Sequence, residues 1–243
     1  MTDQPLGTVL SVWAHPDDET YLAGGLMAAA VERGSRVVCV TATRGELGSS
    51  DEQRWPSGET LAALRTQELA KALSVLGISE HHWLDYPDGG CAAVDEDEAV
   101  ARLRELVEEV RPDTVLTFGP DGMTGHAAHV SVSRWTTRAF EALALPGATL
   151  HYATATPDWA AYWVPRLEQF GLYGPGTPPV TPREELSIDF PLPPDILELK
   201  MRALERHESQ LTGLLTVFGR DGLREAFREE TYRLGGRIPL NGG

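Results

Sequence analysis

Through residue 144, apolar β-rich runs alternate with stretches of helical periodicity, and this alternation constrains the fold more than any other feature. Strands are expected at about 8–13, 36–42, 81–84 and 114–118, and helices at about 20–33, 59–76, 97–110 and 127–144. Repeated βαβ units build a parallel sheet. Right-handed crossovers then bring the loops after successive strands to one edge. The expected fold class is α/β, a Rossmann-like, mostly parallel sheet flanked by helices. At 243 residues the chain can bury one full core, and residues 1–243 are read as a single domain. After about residue 150 the character changes. Nine of the seventeen prolines lie between Pro157 and Pro194, in company with Tyr152, Trp159, Tyr162, Trp163, Phe170 and Tyr173. A Pro-rich, irregular or short-stranded C-terminal part is expected there, with packing as the simplest role for the aromatics. One helix should follow from about Pro194 to Gln210, burying Ile196, Leu199, Ala203 and Leu204.

Reactive side chains gather where the strand runs end. His15, Asp17 and Asp18 close the first run, and Gly125-His126-Ala127-Ala128-His129 follows the fourth through Gly119-Pro120-Asp121-Gly122. Ligands of open parallel sheets bind at the carboxyl ends of the strands. Two histidines three apart share a helix face. A plain helix start would also favour Pro16 and the acidic residues after it. An imidazole with two carboxylates, opposite two further imidazoles, is better explained by a divalent metal. Catalytic zinc takes three protein ligands and keeps a position open; ferrous iron also suits two histidines and a carboxylate.

Other classes are disfavoured. The 21 basic and 36 acidic side chains leave a net charge of −15, which argues against binding nucleic acid or an anionic membrane surface. Cys39 and Cys91 imply no disulfide framework. The first ten residues lack a basic start and an apolar core, and no run of eighteen apolar residues occurs, so a cytoplasmic protein is expected. His15-Pro16-Asp17-Asp18 stands where a dinucleotide fold carries G-x-G-x-x-G, and its carboxylates would repel a pyrophosphate.

Six segments carry a resemblance: Ala14 to Glu19, Thr43-Arg44-Gly45-Glu46, Arg65-Thr66-Gln67-Glu68-Leu69, Tyr86-Pro87-Asp88-Gly89, Gly125-His126-x-x-His129 and His207-x-Ser209-Gln210. In this order and spacing the chain resembles the PIG-L/LmbE-like zinc deacetylases, which remove the acetyl group from N-acetylglucosamine attached to lipid, inositol, malate or other aglycones. The resemblance implies Zn2+ (or Fe2+) on His15, Asp18 and His129. It implies Asp17 as the general base that takes a proton from the attacking water, with His126 stabilising the oxyanion, if protonated, or helping the amine to leave. Glu46, Arg65 and Asp88 match positions that grip sugar hydroxyls or the aglycone. The simpler reading of Arg65 and Glu68 is an exposed charged pair, and that of His207 is structural hydrogen bonding within a helix. The expected partner is a small amino-sugar substrate; nothing suggests a membrane or nucleic acid, and a homo-oligomer is left open. Two rivals stay in view: a zinc amidase acting on a thiol conjugate or another amide, and a non-catalytic sugar-binding protein of the same fold. The chain departs from the mycothiol-pathway enzymes, which carry a tyrosine where Thr124 stands and His-Pro-Asp-His where this chain has Ala127 and Ala128. An acidic aglycone would lean on Arg65 or Arg44, given the overall negative charge.

Overall fold

The computed structural model describes residues 6–143 and 145–239. Residues 1–5, part of the chain start read above, and residue 144, the expected end of the fourth helix, lie outside the described residues.

Seven strands form one sheet in the order β3-β2-β1-β4-β5-β7-β6. They are β1 (Val9–Trp13), β2 (Val37–Thr43), β3 (Glu80–Tyr86), β4 (Thr114–Phe118), β5 (Thr149–Ala153), β6 (Ile188–Pro191) and β7 (Glu229–Arg237). The first five of that order run parallel, and β7 is antiparallel to both β5 and β6. All residues of β1, β2 and β4 are buried, as expected of central parallel strands covered on both faces, and this is why they read as largely apolar runs with only Ser and Thr among them. α1 (Asp18–Glu32) and α2 (Glu59–Leu76) pack with each other and with α6 (Pro194–Leu204), while α3 (Glu96–Val110) packs on α4 (Ala127–Ala142).

Strand order reverses at β1: the chain moves one way to β2 and β3 and the other way to β4 and β5. Right-handed crossovers place the two sets of helices on opposite faces. The loops after β1 and β4 therefore diverge, and a crevice opens between the carboxyl ends of these two neighbouring strands. Both reactive clusters emerge there.

The C-terminal part differs from expectation in two ways. Residues 157–167, expected to be irregular, form helix α5 (Pro157–Leu167). Thr156 Oγ1 accepts the N–H of Trp159 at 3.3 Å and Pro157 opens the first turn, so the proline that suggested irregularity is a start signal. The helix expected from Pro194 to Gln210 is two: α6 stops at Leu204, and α7 (Glu208–Ala226) starts after His207, whose backbone is not helical. The break lets the His207 ring turn inward, where its Nε2 lies 3.1 Å from Glu19 Oε1 in full burial. Among the described residues, no helix is long and apolar enough to cross a membrane.

Candidate active site

The chain leaves β1 through a strained corner. Asp17 has a φ of 124°, a region that favours glycine. It is held there by neighbours: its N–H donates to Glu19 Oε2 at 2.9 Å, and its carbonyl accepts from the N–H groups of Thr20 and Tyr21. Such strain persists only where the surroundings over-determine it, and it concentrates at functional sites. Asp18 is turned the other way, its Oδ2 accepting the N–H of His15 at 2.8 Å. On the opposite wall, Gly122 turns with a φ of 69° so close to α4 that a Cβ there would lie 3.0 Å from His129 Cβ. His129 stacks on Phe118, the last residue of β4, with ring centroids 4.2 Å apart.

Hydrogen-bond partners fix the tautomers of two rings. His15 Nε2 lies 3.1 Å from Asp88 Oδ1, and His129 Nδ1 lies 3.0 Å from the Gly122 carbonyl oxygen. An ionised carboxylate and a carbonyl only accept, so both nitrogens carry hydrogen. The other two ring nitrogens, His15 Nδ1 and His129 Nε2, face each other across 3.1 Å. Asp18 lies 3.5 Å from each, through Oδ2 and Oδ1 respectively. Without a metal the raised pKa of His15 keeps a proton between these two nitrogens, and a divalent cation held by both and by Asp18 would take its place. Tetrahedral coordination with bonds of about 2.0–2.2 Å sets donors roughly 3.3–3.6 Å apart, close to these separations. A second grouping is present: one ring nitrogen from each of His15, His126 and His129 lies within 4.8 Å of the others. It is looser, and His126 is exposed. The set with Asp18 is tighter and supplies negative charge, so it fits a divalent ion better.

The electrostatics follow from burial and pairing. Burial would raise the Asp18 carboxyl, but His129 and His15 hold it well below the usual carboxylate range. Asp88 is brought down to about 2 against its own burial by the hydrogen bond and charge of His15. His15 rises to about 9 because Asp18 and Asp88 outweigh its burial, whereas burial takes His129 down to about 4. Asp17 is raised to about 7, burial and the neighbouring Asp18 prevailing over the attraction of Arg65. Burial and then the charge of His15 lower His126, which favours its neutral form.

Three expected roles change with this geometry. Arg65 is not an exposed partner of Glu68; both are buried. Its guanidinium donates to the carbonyls of Gly45 (2.8 Å), Gly48 (3.1 Å) and Pro16 (2.7 Å), and Nη2 lies 3.4 Å from Asp17 Oδ2. With those donors engaged, Arg65 braces the corner that carries Asp17 and is poorly placed to grip a sugar. Asp88, expected on the substrate, lines the cavity and also orients His15. Glu46 does not line the cavity; its Oε1 accepts the N–H of Asp88 at 2.8 Å. Arg44 pairs with Asp85 and covers the ring of Trp83, away from the cavity. Glu68 accepts from the N–H and hydroxyl of Ser209, and Gln210 donates to the Gly48 carbonyl, so the His207-x-Ser209-Gln210 segment ties α7 to the loop after β2. Thr124 Oγ1 lies 3.1 Å from His129 Nδ1 and supports that ring.

The cluster forms one end of a cavity of about 720 Å³. Trp159, Phe170 and Tyr173 also line it, so three of the six aromatics read above as packing groups face a ligand-sized space. Sequence pattern could have found Trp159 through the Thr156-Pro157 helix start, but nothing in the pattern marked Leu214 or Phe227, which join them from α7 and beyond.

The family model described as GlcNAc-PI de-N-acetylase, PIG-L, matches residues 10–140, more than half of the chain. The chain belongs to the PIG-L family. A protein of Kineococcus radiotolerans named 1D-myo-inositol 2-acetamido-2-deoxy-alpha-D-glucopyranoside deacetylase is 41% identical over 164 residues, 56% of this chain and 45% of that protein. The protein of the same name from Kribbella flavida is 31% identical over 96% of this chain and 93% of its own length. The PIG-L chain thus spans about half the length of the Kineococcus relative and nearly all of the Kribbella one. The N,N'-diacetylchitobiose deacetylase of Pyrococcus horikoshii shares the fold at a TM-score of 0.64, with 22% identity over 96% of this chain and 86% of that one. GalB, the 4-carboxy-2-hydroxymuconate hydratase of Pseudomonas putida KT2440, shares it at 0.63 with 17% identity, covering 98% of this chain and all of GalB. The PIG-L fold therefore carries more than one reaction, and function rests on the site.

Proposed function

We propose that this chain is a metal-dependent N-deacetylase that hydrolyses the acetamide of an N-acetylglucosamine-containing small molecule. The observation that carries this reading is the tautomer-fixed pair His15 Nδ1 and His129 Nε2 with Asp18 against both, in a cavity that Asp17 also lines. His15, Asp18 and His129 would hold the ion, and Zn2+ fits their number and type; Fe2+ suits the same donors. When bound, the metal supplies Lewis acidity, polarising the amide carbonyl and lowering the pKa of water.

The chain's own residues do the rest. Asp88 and the Gly122 carbonyl keep the two imidazoles turned so that their lone pairs converge, the outer support that metal sites generally need. Asp17 sits near neutrality, where a carboxylate is basic enough to take a proton from water and is about half ionised at its own pKa of about 7. That proton then goes to the departing amine. Arg65 and the Glu19 carboxylate fix where Asp17 points. His126, exposed at the start of α4 with its ring 5.1 Å from that of His15, offers a neutral N–H to the developing oxyanion, its lowered pKa favouring that form.

The names of the two relatives and of the Pyrococcus neighbour support an acetylated amino sugar as substrate. Acetate and free amine should appear in equal amounts when zinc-loaded protein is given methyl N-acetylglucosaminide or an inositol conjugate, and a chelator should stop the release. Metal-loaded protein that releases neither product from any conjugate would overturn the reading.

A further inference from the structure

Helix α1 follows directly on Asp17 and carries Asp18 in its first turn, and its second turn is bonded in a way that helix formation alone does not explain. In a regular α-helix the Gly25 N–H donates to the Tyr21 carbonyl, and the Leu26 N–H to the Leu22 carbonyl. Here side chains from other elements reach all four groups. Glu230 of β7 accepts the N–H groups of Gly25 and Leu26, one on each carboxylate oxygen and both at 2.7 Å. Lys200 of α6 donates to the Tyr21 carbonyl at 2.8 Å and to Glu230 at 2.6 Å. The Tyr232 hydroxyl, also from β7, donates to the Leu22 carbonyl at 2.7 Å. Gly25 leaves room for this approach, since a Cβ there would lie 3.2 Å from Glu230 Oε1 and 2.1 Å from Leu192 Cδ2.

The side chains of Lys200 and Glu230 are each 1% exposed. A buried ion pair recovers little more than its own desolvation cost, and packed apolar side chains commonly serve stability as well or better. What this pair adds is direction. A carboxylate that takes two N–H groups, beside an ammonium that takes a carbonyl, admits one placement of the helix along and about its axis. Helix α1 is gripped again in its first turn, where His207, just beyond α6, lies 3.1 Å from Glu19. The metal donors meanwhile stand on separate supports, Asp18 on α1 and His129 on α4, so their spacing depends on where α1 is held. Glu230 borders the cavity, but both its oxygens are engaged with α1.

We propose that Lys200, Glu230 and Tyr232 are positioning residues, holding α1 so that Asp18 meets the metal and Asp17 meets the attacking water. The role of Asp17 rests on the deacetylase reading; the placement of Asp18 needs only a metal.

Two variants separate placement from folding. Tyr232→Phe removes one hydroxyl from a buried ring, and Lys200→Met combined with Glu230→Gln removes both charges together, leaving neither alone in the core. Zinc affinity is measured by competition with a chromophoric chelator, and folding by circular dichroism and thermal denaturation. Turnover is read as acetate released from methyl N-acetylglucosaminide and an inositol conjugate. The folded double variant should lose at least about tenfold in zinc affinity and in kcat, with KM changed less, because misplacing reacting groups by about an ångström from a distance costs this much or more. Tyr232→Phe should lose roughly threefold to tenfold in both, the worth of one hydrogen bond. A merely stabilising role would lower the melting temperature and leave zinc affinity and kcat as they are. That result in the folded double variant, or in Tyr232→Phe should the double variant not fold, would overturn the proposal. So would a change confined to KM, which would make Glu230 a substrate contact. Weakened zinc binding in the variants of a protein that releases no acetate would remove the deacetylase reading and keep the positioning role; acetate release and zinc affinity unmoved by the variants would do the reverse.

Discussion

The two ends of the cavity are built on opposite terms. At the inner end, loops after the parallel strands β1, β3 and β4 supply polar groups, and almost every one has a partner that sets its direction: Asp88 for His15, Gly122 for His129, Arg65 and Glu19 for Asp17. Around the rest of the cavity, α5, α7 and the segments beside them supply aromatic and aliphatic surface. Direction matters where bonds are made, and shape and apolar area matter where a substrate is held.

Breaking the inner end should have the largest effects. Asp18→Ala and His129→Ala should each lose bound metal and nearly all turnover while the circular dichroism of the folded sheet remains. One equivalent of metal retained by both variants would show that the donors are misassigned. Next, Asp17→Asn should keep its metal and lose roughly a hundredfold or more in kcat, the range for removing a positioned base. Near-normal kcat would move that role elsewhere.

A smaller loss, about tenfold to a hundredfold in kcat, is expected for Arg65→Ala, because a support lost from a reactive group costs in this range. KM should change less, since the side chain braces Asp17 instead of holding substrate. The charge of Arg65 pulls the Asp17 pKa down, so its removal should shift the acid limb of the rate profile to higher pH. A raised KM with normal kcat and an unmoved limb would restore the substrate-gripping role.

The smallest effect lies away from the cavity. Burial lowers His151, on β5, to about 4, against about 6.5 in an unfolded chain. Between those values the unfolded chain binds the proton more readily, so stability is lost as pH falls from about 6.5 toward 4. His151→Gln should lose less over that window in thermal denaturation of metal-free protein. Identical slopes for variant and wild type would contradict the buried neutral imidazole.

How much was legible in the sequence also divides along this line. Central strands are buried on both faces, so β1, β2 and β4 stand out as apolar runs and the polar groups ending them as a site. The C-terminal part carries mixed signals: Pro157 opens a helix, and His207 ends one pattern only because its ring pairs with Glu19, 188 positions away. Arg65, Glu46 and Asp88 show the same limit at finer scale. The family resemblance marked them as part of the site, but whether each faces the ligand or another side chain depends on contacts such as Arg65 with the carbonyls of Pro16, Gly45 and Gly48, which no local pattern encodes.

A crystal of the protein grown with zinc, with anomalous diffraction collected on both sides of the zinc edge, tests the central claim most directly. The peak should lie about 2.0–2.2 Å from His15 Nδ1, His129 Nε2 and an oxygen of Asp18, with Asp17 outside the ligand set. A peak bonded to His126 in place of Asp18, or to Asp17, would contradict it.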